Sequence, residues 1–325
     1  MIQAPADRPG EVERLARAGA GEVYGGIQHL GSGRLSVTRR TFASAHFPDE
    51  GALREAVAEA RACGIGFLVT LNAARYGPGL HGQLVAFAER AAGWGARGFI
   101  VSDPGLLQRL RPAVPEAQIV LSTLAGALNR HAVALYEQRF GVDRVVFPRH
   151  LTLGEMASIR RSRPGMAFEA FVLVGRCPNE EAFCTFQHVS PSMRWPCEIP
   201  YRLKQPDGRA VPESHPLARW HAAWRRADRR LGCGVCAVPE LARMGVGFLK
   251  IVGRGGATRA KVENVRMVAR FVRGEAGPED GPRAYRERFG RPCGPLVCYF
   301  PELFPRRGEA GRSAHPETGQ ERGVV

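Results

Sequence analysis

Lysine is nearly absent from this 325-residue chain. Of 46 basic residues only Lys204, Lys250 and Lys261 are lysines; the other 43 are arginines. With 31 acidic residues the formal net charge is +15. A surplus of that size points toward polyanions such as RNA. The arginine skew weakens that reading, because a GC-rich coding sequence produces it without selection for phosphate binding. Long apolar runs are missing too, and none approaches the ~20 residues of a membrane span. The first residues, Met1-Ile2-Gln3-Ala4-Pro5-Ala6-Asp7, have neither a basic nor an apolar signal region. No signal peptide is expected there, and the chain reads as cytoplasmic. No Gly-rich dinucleotide fingerprint follows the first strand-like run, which argues against an open nucleotide-binding sheet. No His-Glu-x-x-His pair occurs, so the common zinc-peptidase motif is excluded. Cysteine is scarce in the first half: of eight, only Cys63 precedes residue 177.

The remaining cysteines place the chemistry in the second half. Cys177, Cys184, Cys197, Cys233 and Cys236 are spaced C-x6-C-x12-C-x35-C-x2-C. In a reducing compartment such thiols are metal ligands or catalytic groups more often than disulfides. Thiolates suit iron–sulfur clusters and zinc alike. Zinc knuckles would show C-x2-C at both ends, and only Cys233-Gly234-Val235-Cys236 has that form. The others lie among Phe183, Phe186, Trp195 and prolines, an apolar shell suited to a cluster. Spacing alone leaves cluster and zinc open. Cys63, at the end of a helical stretch, reads as a plain buried thiol. Cys293 and Cys298 would add ligands or form a redox pair.

Short apolar runs alternate with helical periodicity. The predicted strands are Ile2–Ala4, Glu22–Gly25, Gly66–Leu71, Gly98–Ser102, Gln118–Ser122, Arg144–Phe147, Phe168–Val174 and Phe248–Val252. Helices are predicted over Val12–Ala18, Glu50–Ala62, Leu80–Trp94, Arg130–Phe140, Leu153–Arg161 and Thr258–Arg273. Eight strands in this rhythm predict an α/β fold, a (β/α)8 TIM-like barrel, over residues 1–275. Prolines at 178, 191, 196, 200, 206, 212 and 216 interrupt it. They mark a cysteine-bearing insertion, residues 177–236, between the seventh and eighth strands. Residues 276–304 form a C-terminal extension, and 305–325 a tail expected to be disordered. The stretch Arg219 to Arg230 interleaves Trp220, His221 and Trp224 and reads as an RNA-facing or a solvated amphipathic helix.

Barrel enzymes carry their sites at the C-terminal strand ends. There the sequence places Asn72, Asp103, Asn129 and Arg254, the last with Gly255-Gly256 as an anion-binding turn. Taken singly, each of the first three reads as a helix cap ahead of a catalytic group; as a set they outline a pocket.

Several segments together resemble the peptidase U32 (collagenase-like protease) family. They are Ala4-Pro5-Ala6, Val23-Tyr24-Gly25-Gly26, Val69-Thr70-Leu71-Asn72 and Val101-Ser102-Asp103-Pro104-Gly105. Further along come Leu121-Ser122-Thr123 with Asn129, Arg144–Arg149, Glu169-Ala170-Phe171 leading to Cys177 and Cys184, and Leu249–Arg254. The resemblance implies a β/α barrel with a four-cysteine [4Fe–4S] site. By it, Cys177, Cys184 and Cys197 carry over as ligands, with Cys236 as the fourth and Cys233 as the alternative. Family members include oxygen-independent hydroxylases of ubiquinone precursors, tRNA or ribosomal RNA, with prephenate implicated as oxygen donor, and proteins described as proteases. The expectation is therefore a [4Fe–4S] hydroxylase acting on a small aromatic or quinone-like substrate with a carboxylate oxygen donor. A U32-type peptidase and an RNA-modifying or RNA-binding protein with a structural cluster are the alternatives. Some relatives work as paired subunits, which implies a heteromeric partner of the same family.

Overall fold

Apolar runs without polar–apolar alternation belong to strands buried on both faces. A computed structural model describes residues 1–30, 37–38, 43–177, 180–183, 202–226 and 231–304. In it the eight runs are parallel strands of one closed barrel, in sequence order. They are β1 (Ile2–Pro5), β2 (Glu22–Gly25), β3 (Gly66–Leu71), β4 (Gly98–Val101), β5 (Gln118–Leu121), β6 (Arg144–Val146), β7 (Ala167–Leu173) and β8 (Phe248–Ile251). Closure runs through Gln3, which pairs with Glu22 on one side and Lys250 on the other. The predicted (β/α)8 barrel is thus observed, with strand ends within a residue of expectation.

Ten helices are described: α1 (Val12–Ala18), α2 (Glu50–Ala62), α3 (His81–Trp94), α4 (Pro104–Ala113), α5 (Arg130–Phe140), α6 (Leu153–Ser162), α7 (Pro216–Arg226), α8 (Val238–Arg243), α9 (Thr258–Val272) and α10 (Gly281–Phe289). Helix α9 shows the logic of the outer ring. Its Val262, Val265, Val268 and Phe271 are buried at a three-residue spacing, which lays one apolar stripe on the barrel. Helix starts follow side-chain caps: the Asp49, Asp103, Asn129 and Thr152 oxygens accept backbone amides of the first turn. Residues 276–304 fold onto the end of the insertion. Cys233 bridges Leu173 on one side and Cys298 on the other, and the Tyr285 hydroxyl donates to the Leu231 carbonyl at 3.0 Å.

The lower half of the barrel holds charges where branched apolar layers are usual. Arg144 donates to Glu22 at 2.6 Å and to Glu169 at 3.0 Å. Lys250 donates to Glu169 at 2.6 Å and also contacts Gln3. Gln3 in turn donates to Glu22 at 2.7 Å. Glu22, Arg144 and Glu169 are fully buried. Burial alone would push the Glu169 carboxyl up, but Lys250 and Arg144 outweigh it and hold it below its ordinary value. Burial lowers the pKa of Lys250. Two carboxylates against two cations keep this floor neutral, the condition under which buried charge is tolerated.

Candidate active site and thiol cavity

At the C-terminal rim the backbone first makes room. A Cβ on Gly25 would lie 2.4 Å from the Ala6 carbonyl, and one on Gly26 2.5 Å from the Thr70 hydroxyl. Only glycine lets the end of β2 press against β1 and β3 this closely. Above that contact sits Arg254, directly after β8 and 7% exposed. One of its terminal nitrogens donates to Thr70 Oγ1 at 3.0 Å, and Thr70 donates to the Gly25 carbonyl at 3.1 Å. Its guanidinium carbon is 5.9 Å from the Tyr24 ring centre. Tyr24 is held by donating to the Ile251 carbonyl at 3.2 Å. Among the described residues no carboxylate forms an ion pair with Arg254. Burial lowers its pKa. A buried cation without a carboxylate is poised to take one from a ligand.

Two strands along the rim, after β6, a second arginine is already paired. Arg149 contacts the buried Glu181 carboxylate through its side chain and donates from its backbone amide at 3.0 Å. Thr123 donates to the same carboxylate at 3.1 Å. The Arg149 guanidinium lies 3.5 Å from the centre of the Phe171 ring. The nearby Tyr299 hydroxyl donates to the Gly175 carbonyl at 3.2 Å, and burial pushes its pKa up to about 12.

The structure sorts the residues expected at the rim. Arg254 is in the mouth, and Asn72 lies half-buried just past β3. Asp103 caps α4: it accepts the Leu106 amide at 2.7 Å, the Tyr76 amide at 3.0 Å, and lies 3.2 Å from His81 Nε2. Asn129 is exposed and accepts the His131 and Ala132 amides, each at 3.0 Å, as the cap of α5. The turn after Arg254 is partly engaged: the Gly255 amide donates to Asp7 at 2.7 Å. Asp7 and Glu11 also bind Lys261. Tyr24, Thr70, Arg149 and Glu181 gained no role from the sequence, although Tyr24, Thr70 and Arg149 stand in segments that carried the resemblance. Glu181 sits in the insertion, and no sequence signal pointed to it.

Of the expected ligands, Cys177 lies four residues beyond β7 and is half-buried. Cys184 and Cys197 lie outside the described residues. Cys236 opens onto a separate cavity of about 540 Å³ on the barrel flank, between α6, α8 and α10. Cys233, Cys293 and Cys298 line the same cavity. Burial raises the pKa of all four thiols, that of Cys298 to about 12. Among the described residues no group of three or more His, Cys, Asp and Glu side chains is arranged to hold a metal ion.

Outside the mouth, α7 exposes an aromatic and basic face. Trp220 is 54% exposed and stacks on the buried Trp224, with ring centres 5.7 Å apart and planes at 4°. Arg219 and Arg226 are exposed on the same helix. Residues 227–230 of the predicted basic stretch lie outside the described residues. No described helix is long and apolar enough to cross a membrane.

The model of peptidase family U32 matches residues 8–283. A protein of Escherichia coli (strain K12) named tRNA hydroxylation protein P is 34% identical over 132 residues, 41% of this chain and 29% of that protein. The tRNA hydroxylation protein P1 of Bacillus subtilis (strain 168) is 25% identical over 213 residues, 62% of this chain and 48% of its own length. The chain thus spans less than half the length of these curated relatives. Among solved structures, the U32 peptidase Mk0906 superposes with a TM-score of 0.48 at 12% identity, covering 78% of this chain and 93% of that one.

Proposed function

The chain belongs to peptidase family U32, and from that premise we propose that it is an oxygen-independent hydroxylase acting on tRNA. The observation that carries the reading is Arg254, a buried guanidinium at the barrel mouth that forms no ion pair with a described carboxylate. It is suited to a small carboxylate co-substrate, which would serve as oxygen donor. Tyr24 and Thr70 set its direction: one supplies an aromatic wall, the other holds the guanidinium fork. Arg149 is neutralised by Glu181 and stacked on Phe171, so it shapes the adjoining wall without adding net charge.

The relatives named for tRNA hydroxylation move the substrate from a small aromatic molecule toward a nucleobase. The surplus of arginine and the exposed Trp220 on α7 support that move, since aromatic stacking beside cations is how unpaired bases are held. Soft thiolate donors suit an iron–sulfur cluster, which Cys177, Cys184, Cys197 and Cys236 would hold in this reading. Such a cluster would supply a Lewis-acidic iron and a route for electrons. The peptidase reading has no comparable observation behind it.

The test is to express the chain in a bacterial strain stripped of its own tRNA hydroxylation proteins. Mass spectrometry of digested tRNA should show a nucleoside gaining one oxygen, anaerobically as well as in air. Arg254→Met should abolish the gain. If the wild-type chain yields no hydroxylated nucleoside while a tRNA hydroxylation protein P does, the proposal fails.

A further inference from the structure

The indole pair of α7 is fixed at its inner end. Trp220 and Trp224 stand one helical turn apart, which lets their rings stack. Trp224 is buried, and the Arg176 guanidinium lies over its ring, 5.5 Å from the centre. That is within the range of a cation–π contact. Arg176 is held in its turn: it donates to the Pro295 carbonyl at 2.6 Å and also contacts the Cys298 carbonyl. It stands three residues beyond β7. The pair is thus tied to the C-terminal rim, one strand along from β8, which leads into Arg254. The outer end is open, with more than half of Trp220 exposed. The chain around it is cationic. Residues 202–226 hold six arginines and lysines against two acidic residues, Asp207 and Glu213. Arg202, Lys204, Arg219 and Arg226 are exposed, while Arg209 engages Asp207 at 2.6 Å.

A surface helix normally turns its large apolar side chains inward. An exposed indole backed by a buried ring is instead a flat apolar surface whose ordering cost is already met. Every nucleobase has a π-face that stacks on such a surface, and the phosphates on either side of it need cations. The sign of the charge selects among partners. A surface of one dominant sign repels a second copy of itself and suits a polyanion. Only an unpaired base can present its face, so the strand is single at this point. We propose that Trp220, backed by Trp224 and Arg176, is a stacking platform for an unpaired base of RNA. The base it holds is a different one from the nucleoside that enters the mouth. The choice of RNA rests on the tRNA reading above, but the platform requires binding alone, without hydroxylation. The C-terminal extension then has a role in recognition, because its carbonyls hold Arg176 against the inner ring.

The experiment titrates the full chain with a fluorescein-labelled oligouridine of about twelve nucleotides and with an RNA duplex of the same length, reading anisotropy at two salt concentrations. The single strand should bind, and bind less tightly at high salt. Trp220→Ala should weaken that binding roughly fivefold to a hundredfold, the worth of one stacked base, and leave duplex binding unchanged. Trp220→Phe should restore most of the loss, since a phenyl ring still stacks. Arg219→Gln with Arg226→Gln should flatten the salt dependence instead. The wild-type chain gives a second readout that needs no substitution: unlabelled oligouridine should quench its tryptophan fluorescence. Absence of quenching, or a Trp220→Ala chain that binds the single strand as wild type does, overturns the platform. So does a loss of equal size on single strand and duplex. Binding to anionic phospholipid vesicles, or self-association, that depends on Trp220 while RNA binding does not would assign the face to a membrane or to a second copy, and also overturns it. A chain that binds oligouridine through Trp220 yet hydroxylates no tRNA keeps the platform and loses the hydroxylase reading; the converse result separates them the other way.

Discussion

The two ends of the barrel treat charge in opposite ways. At the floor Glu22 and Glu169 face Arg144 and Lys250, and glutamine side chains extend the network. At the mouth Arg254 is equally dry but meets a hydroxyl and an aromatic ring in place of a carboxylate. Burying a cation costs several kcal/mol unless something compensates it. The floor compensates internally, and so contributes a unique packing. In the proposed function the mouth leaves the compensation to a ligand. This division follows the general separation of stability and function between the two faces of β/α barrels.

The sharpest way to break the comparison is to unbalance the floor. Glu169→Gln leaves Arg144 and Lys250 buried with one carboxylate fewer. It should cost about 3–5 kcal/mol of stability in chemical denaturation. The wild-type floor should also be acid-sensitive. The Glu169 carboxyl titrates below its unfolded value of 4.5, so its stabilisation is fully present above that pH. It is lost as the pH falls through the folded value. Denaturation midpoints measured from pH 7 down to pH 3 should drop more steeply in wild type than in Glu169→Gln.

Arg254→Met should show the reverse behaviour. Stability should hold or rise, because an uncompensated cation is removed. Affinity for the carboxylate co-substrate should fall by about 1.5–3 kcal/mol, roughly tenfold to a hundredfold. A variant that unfolds instead would place Arg254 with the floor. Trp220→Ala should weaken tRNA binding by about 1–3 kcal/mol in a filter or anisotropy assay and leave the floor untouched. The smallest effect is expected at Asn129. Removing this cap should cost about 1 kcal/mol of stability with turnover unchanged. Loss of turnover in a folded Asn129→Ala chain would return Asn129 to the site.

Much of this architecture was legible in one dimension. Double-sided burial makes parallel strands read as continuous apolar runs, and α9 shows its buried stripe in its own periodicity. Caps were legible for the same reason: Asp103 before Pro104 and Thr152 ahead of Glu155 act within four residues of themselves. The site was legible only in part. Asn129 and Asp103 carry the residue types of both a pocket and a cap, and the hydrogen bonds show that both cap helices. Glu181 had no local signal, because its partners Arg149 and Thr123 come from other strand ends.

By itself the sequence determined the eight-strand rhythm, the place where an insertion interrupts it, and the family to which the chain belongs. These follow from local periodicity and short motifs, which need no knowledge of distant contacts. Only the tertiary structure decided which charges are neutralised and which cysteines share a space. Arg144 finds Glu22 and Glu169 because barrel closure brings their strands to one interior. Cys233 and Cys236 meet Cys293 and Cys298 because the last turn of the described chain folds back beside β7. Spacing along the chain records neither event, since both depend on the closing of long loops over a finished core.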